Sequence, residues 1–109
     1  MNYVILIGRL TNDVEVKEVG ENKVVNFTLA VQRTYKNKDD KYDADFINCS
    51  VWGDIATNLK GYCKKGSQIA VKGQLVTSSY EDKDGNKRYK TEVRADHITY
   101  LQPKKEEVK

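Results

Sequence analysis

The hydrophobic period of this chain is two almost throughout and changes once, between Asp54 and Lys65, where Ile55, Leu59, Tyr62 and Cys63 recur at helical spacing. Strands everywhere except for one helix leave few architectures open to a chain of 109 residues. The first strand is predicted over about Tyr3 to Leu10, apolar on both faces, with Gly8 where a close backbone approach or a bend would be accommodated. The second runs from about Lys23 to Tyr35, with Val25, Phe27, Leu29 and Val31 on one face and Asn26, Thr28, Ala30 and Gln32 on the other. The third spans Asp45 to Trp52. The fourth covers about Gln68 to Tyr80, and the fifth about Lys87 to Leu101.

Between these segments the punctuation is local. A Thr11-Asn12-Asp13 turn, alternating Val14, Val16 and Val19, and Gly20-Glu21-Asn22 separate the first two strands. The run from Lys36 to Asp43 is too charged to pack and is expected to be an exposed, mobile loop. Asp54 is expected to cap the helix, Lys64 and Lys65 to complement its dipole, and Gly66 to supply a left-handed stop. Asp82-Lys83-Asp84-Gly85-Asn86 contains the Asp-Gly pair of a hairpin turn. The order β-β-β-α-β-β, with a helix between strands three and four and a long final hairpin, describes an all-β fold. It is that of the five-stranded Greek-key barrel called the OB-fold. The barrel is expected over residues 1–103 and a short, charged, disordered tail over 104–109.

The third strand places its largest side chains against the pattern. Ile47, Cys49 and Val51 make the apolar face, while Phe46 and Trp52 share the other face with Asn48 and Ser50. Tyr80 likewise takes the polar side of the fourth strand. Rings among polar neighbours are either covered by another element or offered to a ligand, and a flat ring on a sheet suits a nucleobase. A lone Trp could instead sit beneath the helix or in a subunit contact, and isolated surface tyrosines are common.

Composition narrows the remaining functions. The net charge of +3, from 19 basic and 16 acidic residues, permits a polyanionic partner without announcing one. No apolar run reaches the roughly 20 residues of a membrane helix, and no leader precedes Tyr3, so a cytoplasmic protein is expected. Cys49, Cys63 and the single His97 are too few and too scattered for a zinc site, and no metal or cofactor is expected. With one His, no paired acids in an apolar setting and no Gly-rich phosphate loop, an enzyme lacks its parts.

The stretches Val4-Ile5-Leu6-Ile7-Gly8-Arg9-Leu10, Asn26-Phe27-Thr28-Leu29-Ala30-Val31, Asp45-Phe46-Ile47-Asn48 through Trp52, Lys64-Lys65-Gly66-Ser67, Gly73-Gln74-Leu75 and Tyr89-Lys90-Thr91-Glu92-Val93 follow one another in a familiar order. In that order the chain strongly resembles the bacterial single-stranded DNA-binding protein family, including short versions carried by phages and mobile elements. The resemblance implies sequence-independent binding and protection of single-stranded DNA in replication, recombination or repair, by a nucleoid-associated homotetramer. It places the stacking rings at Tyr35, Phe46, Trp52 and Tyr80. Tyr35 has core parity, so a bulge or the start of the loop must turn it outward. Beside the rings, Arg33, Lys36, Lys72, Lys87 and Arg88 are the candidate phosphate contacts, with Arg9 a weaker one, although for any single lysine a solvated surface role serves equally well.

Two departures from the family pattern stand out. Gly53-Asp54 and Ser78-Ser79 occupy places where relatives often carry basic residues, and the sequence stops at Lys109 without the long tail and acidic, aromatic tip of many members. If this is the whole protein, recruitment of replication proteins through such a tip is not expected. The main alternative is an OB-fold protein-interaction module of a replication or primosome assembly, since shared fold does not settle function. An RNA-binding barrel is a third, without an aromatic-rich cold-shock consensus to support it.

Overall fold

The computed structural model describes residues 1–101; the tail expected from Lys104 lies outside the described residues. Its elements are β1 (Val4–Leu10), β2 (Lys17–Val19), β3 (Asn22–Lys36), β4 (Tyr42–Trp52), α1 (Asp54–Tyr62), β5 (Gln68–Glu81) and β6 (Lys87–Tyr100). The sheet order β1-β5-β6-β4-β3 closes through a β1–β3 pairing at Arg9↔Ala30 and Leu10↔Leu29, giving the five-stranded OB barrel. β4 and β6 are parallel neighbours at Cys49↔Val93 and Ser50↔Arg94; the other pairings are antiparallel. The short β2, beyond the five strands expected, folds back on the start of β3 around Gly20.

Alternation delivers the core as the sequence promises. Val25, Leu29, Val51, Ile69 and Val71 are fully buried inside the barrel, joined by Phe27, Cys49 and Val93. Full burial of each aliphatic side chain is worth about 1.5–3 kcal/mol, so this interior dominates stability. Closure needs a small residue where β1 crosses β3. A Cβ on Gly8 would collide with the Ala30 carbonyl oxygen and lie 2.9 Å from Leu29 Cγ, which is the close approach foreseen at that glycine.

Helix α1 plugs one end of the barrel with Ala56 and Leu59, both fully buried, while Ile55 and Cys63 pack at the margin. Tyr62, expected on the buried face, is largely exposed and leans on Tyr100 with ring centroids 5.2 Å apart. The helix boundaries differ from expectation at both ends. Gly53, at φ 72°, is the N-cap residue, and Asp54 is the first helical residue, making no side-chain capping bond. At the other end Cys63 is already extended, because the chain is drawn into pairing with β1: Gly66 donates to the Leu10 carbonyl at 2.9 Å and Leu10 to that of Ser67 at 3.0 Å. Gly66 is left-handed at φ 91°, but inside the Lys64–Ser67 turn rather than at the helix end. Lys60, not Lys64 or Lys65, is the cation of the last helical turn.

Two irregularities shape the surface. Between Gln32 and Lys36 the β3–β4 register slips, so that Arg33, Thr34 and Tyr35 bulge against a single partner position. Beyond it both strands run further than expected, to Lys36 and from Tyr42. The exposed tip between them is tied by Asn37, whose side-chain oxygen accepts from the backbone N–H of Asp39 (2.8 Å) and Lys41 (3.1 Å). The second slip faces Lys72 and Gly73, where β6 carries the extra residue Asp96. It reverses the inward parity of β6, so that Val93 and Ala95 point into the core before the slip and Ile98 after it. Past Leu75, which is exposed despite its core parity, β5 and β6 leave the barrel as a two-stranded arm.

Candidate nucleic-acid interface

Register places the expected rings. Phe46, Asn48, Ser50 and Trp52 alternate along the outer face of β4, opposite Ala30, Thr28, Asn26 and Val24 of β3. Because Ser50 pairs with Arg94 of β6, and Arg94 with Gln74 of β5, that outer face continues through Gln74, Val76 and Ser78 to Tyr80. Phe46, Trp52 and Tyr80 therefore belong to one continuous outward surface. Phe46 and Trp52 are six residues apart on a strand, about 20 Å, which leaves room for intervening nucleotides. Phe46 is 68% exposed, Tyr35 63% and Tyr80 55%.

Tyr35 reaches the surface through the bulge. It stands with Arg33, whose guanidinium carbon lies 5.9 Å from the ring centroid. Arg33 bonds Asp45, and Asp45 has the parity opposite to Phe46, so Arg33 and Phe46 occupy different faces of the β3–β4 hairpin.

Of the four expected rings, Trp52 is the most deeply set. It is half-buried, Arg94 stacks over it at 5.0 Å, and its indole N–H is buried without a hydrogen-bond partner among the described residues. Beside it, Ser50 donates to Glu92 Oε2 at 2.8 Å, and Lys90 holds Glu92 Oε1 at 3.3 Å.

The expected cations divide by what they touch. Arg33 forks onto Asp45 at 2.8–3.2 Å, and this bond holds the Asp45 carboxyl below the usual carboxylate range. Arg88 bonds Asp82 at 2.8 Å, and that contact, aided by the backbone N–H of Asn86, lowers Asp82 too. Lys36 lies 3.4 Å from Asp40 and over the Tyr42 ring at 5.8 Å. Arg9 donates to the Gly66 carbonyl at 2.9 Å, bracing the turn after the helix. Lys72, over Tyr3 at 5.1 Å, and Lys87, over Tyr89 at 5.8 Å, have no ion pair among the described residues.

Lys87 is also on the other side of the arm from Tyr80. Tyr80 pairs with Arg88, whereas Lys87 pairs with Glu81 and shares the reverse face with Tyr89. The arm thus separates two of the residues expected to act together.

This arrangement, an OB barrel with exposed rings and cations over them, can be set beside known proteins. Residues 1–101 match the family described as the single-strand binding protein family. The chain belongs to that family. Similar proteins include single-stranded DNA-binding protein 2 of Listeria monocytogenes, 44% identical over 99% of this chain and 68% of its own length. Single-stranded DNA-binding protein 1 of Clostridium acetobutylicum is 42% identical over 99% of this chain and all of its own length. For the single-stranded DNA-binding protein of Bacillus cereus the identity is 45% over 95% of this chain, which spans only 62% of that relative.

Two residues beside the expected ones, Arg94 over Trp52 and the exposed Tyr89, lie outside the sequence expectations. Arg94 lies on the polar face of β6 and was legible as such, but its seat over Trp52 depends on the parallel β4–β6 pairing, which no local pattern announces. Tyr89 is not among the rings that the resemblance implies.

Proposed function

We propose that the chain binds single-stranded DNA without sequence preference, by stacking bases on Phe46, Trp52, Tyr80 and Tyr35 and holding phosphates with nearby Lys and Arg. The observation that carries this reading is the continuous outer face from Phe46 and Trp52 through Arg94 to Tyr80, on a barrel of the single-strand binding protein family. Stacking contributes about 1–3 kcal/mol per base and is indifferent to sequence, because every base has a π-face. Of the cations, Lys72, Lys87 and Arg94 have no acidic partner among the described residues and can take a phosphate without first giving up a carboxylate. Arg33, Lys36 and Arg88 must exchange one anion for another, so they contribute less net affinity.

On this reading the chain is a non-catalytic, cytoplasmic and nucleoid-associated protector of single strands during replication, recombination or repair. We infer a homotetramer as its working form. Ile5 and Ile7 on β1, with Tyr3 just before it, form an exposed stripe, and β3 covers the second edge of that strand only at Arg9 and Leu10. An exposed apolar stripe at a free strand edge favours association. Competition anisotropy with labelled oligo(dT) tests the binding claim. Displacement by unlabelled single strands of any sequence and not by duplex supports it. Indifference to single strands would leave the alternative, an interaction module within a replication assembly.

A further inference from the structure

The two faces of the β5–β6 arm differ, and of the reverse face the proposed function uses Lys87 alone. On the Tyr80 face the cations are satisfied within the chain, Arg88 by Asp82 and Lys90 by Glu92. The reverse face carries Tyr89, at 75% exposure the most open ring of the described residues, with the Lys87 ammonium 5.8 Å from its centroid. Glu81 lies directly across from Lys87 in the register, yet the two form no ion pair, and Lys87 is turned to the ring instead. Around Tyr89 stand the small hydroxyl side chains of Ser79, its cross-strand partner, and of Thr77 and Thr91, which pair with each other. They leave the ring face open and can donate to a phosphate. Beyond Leu75 and Val93 neither edge of the arm pairs with another strand. Only the thickness of a single sheet separates Tyr80 from Tyr89.

Resting on the proposed function, we infer that the reverse face of the arm is a second single-strand contact. Tyr89 stacks on a base and Lys87 holds the adjoining phosphate, so that one DNA strand crosses an arm edge and is gripped on both faces. A ring paired with an unneutralised cation provides the two elements such a contact needs, an aromatic platform and a positive group for the backbone. A protein partner fits less well, since the apolar surface here is one ring and Leu75 amid hydroxyls and charges.

The test is photocrosslinking of the full chain to oligo(dT) carrying iododeoxyuridine, mapped by mass spectrometry, with binding titrations of Tyr89→Ala and Lys87→Ala. Crosslinks at Tyr89 as well as at the Tyr80 face are expected. Tyr89→Ala should weaken binding of long oligonucleotides about fivefold or more, and Lys87→Ala should lower the salt slope by about 0.7. If the parent chain binds and crosslinks elsewhere while Tyr89 stays unmodified and both variants bind normally, the reverse face is not a contact, though the proposed function stands. A change in assembly size for Tyr89→Ala without loss of affinity would assign the face to a second copy, which also overturns the inference. If the parent chain ignores single strands, the proposed function itself falls.

Discussion

Arg33 and Asp45 form a self-neutralised pair at the edge of the proposed interface, and the geometry fixes what each variant should do. Replacing Asp45 by Asn removes an anion and releases a guanidinium beside Tyr35. Affinity for oligo(dT) should rise and its salt slope should steepen by about 0.7, as read by anisotropy at several salt concentrations. The pH behaviour follows from the same bond. A carboxyl whose folded pKa lies below its ordinary value near 3.9 contributes stability above that value and loses it as pH falls through the lowered one. Carboxyl carbon shifts of Asp45 and Asp82 should therefore titrate below about 3.9, and an ordinary midpoint would contradict their bonds to Arg33 and Arg88. The cysteines behave oppositely. Burial pushes Cys49 up to about 12 and raises half-buried Cys63 as well, so iodoacetamide at pH 8 should label Cys63 slowly and Cys49 only on unfolding. At this scale the rings on the polar faces were legible from parity alone. Tyr35 was not, because a bulge is a property of two strands and leaves no mark in one.

Among the elements, the arm depends on one residue at its tip and on one glycine at its root. Asp82 Oδ1 accepts from the backbone N–H of Asp84 and Asn86, each at 2.9 Å, while Oδ2 takes Arg88. The Asp-Gly signal read from the sequence is thus a turn built around a carboxylate, with Gly85 at φ 81°. At the root, a Cβ on Gly73 would strike the Arg94 carbonyl oxygen and approach Ala95 Cα to 2.9 Å. Gly73→Ala should cost about 1–3 kcal/mol in denaturant unfolding and disturb Arg94 over Trp52, while an equally stable variant would show that the strands part at no cost. Element types and order were legible because period and turn chemistry agree. The helix end was not, since Cys63 is pulled straight by pairing between residues 66–67 and β1, a contact more than fifty residues distant in sequence.

For the whole molecule, the barrel uses the inner faces of its strands for stability and leaves the outer faces free for binding and for the proposed association. Ile5 and Ile7 are exposed on β1 and lie outside the core. Charged substitution of both should shrink the assembly in light scattering, and an unaltered mass would contradict a role for β1 in the proposed tetramer. The closed order β1-β5-β6-β4-β3 was inferable from the element string, whereas the alignment of Trp52, Arg94 and Tyr80 on one surface emerges only when β4 and β6 meet.

Trp52 is the only tryptophan, and its ring is central to that surface, so its fluorescence reports directly on the central claim. Titration with oligo(dT) at several salt concentrations should quench it saturably, with affinity falling linearly in log salt and duplex DNA having little effect. An emission unchanged by single strands, at any salt, would contradict base stacking on this barrel.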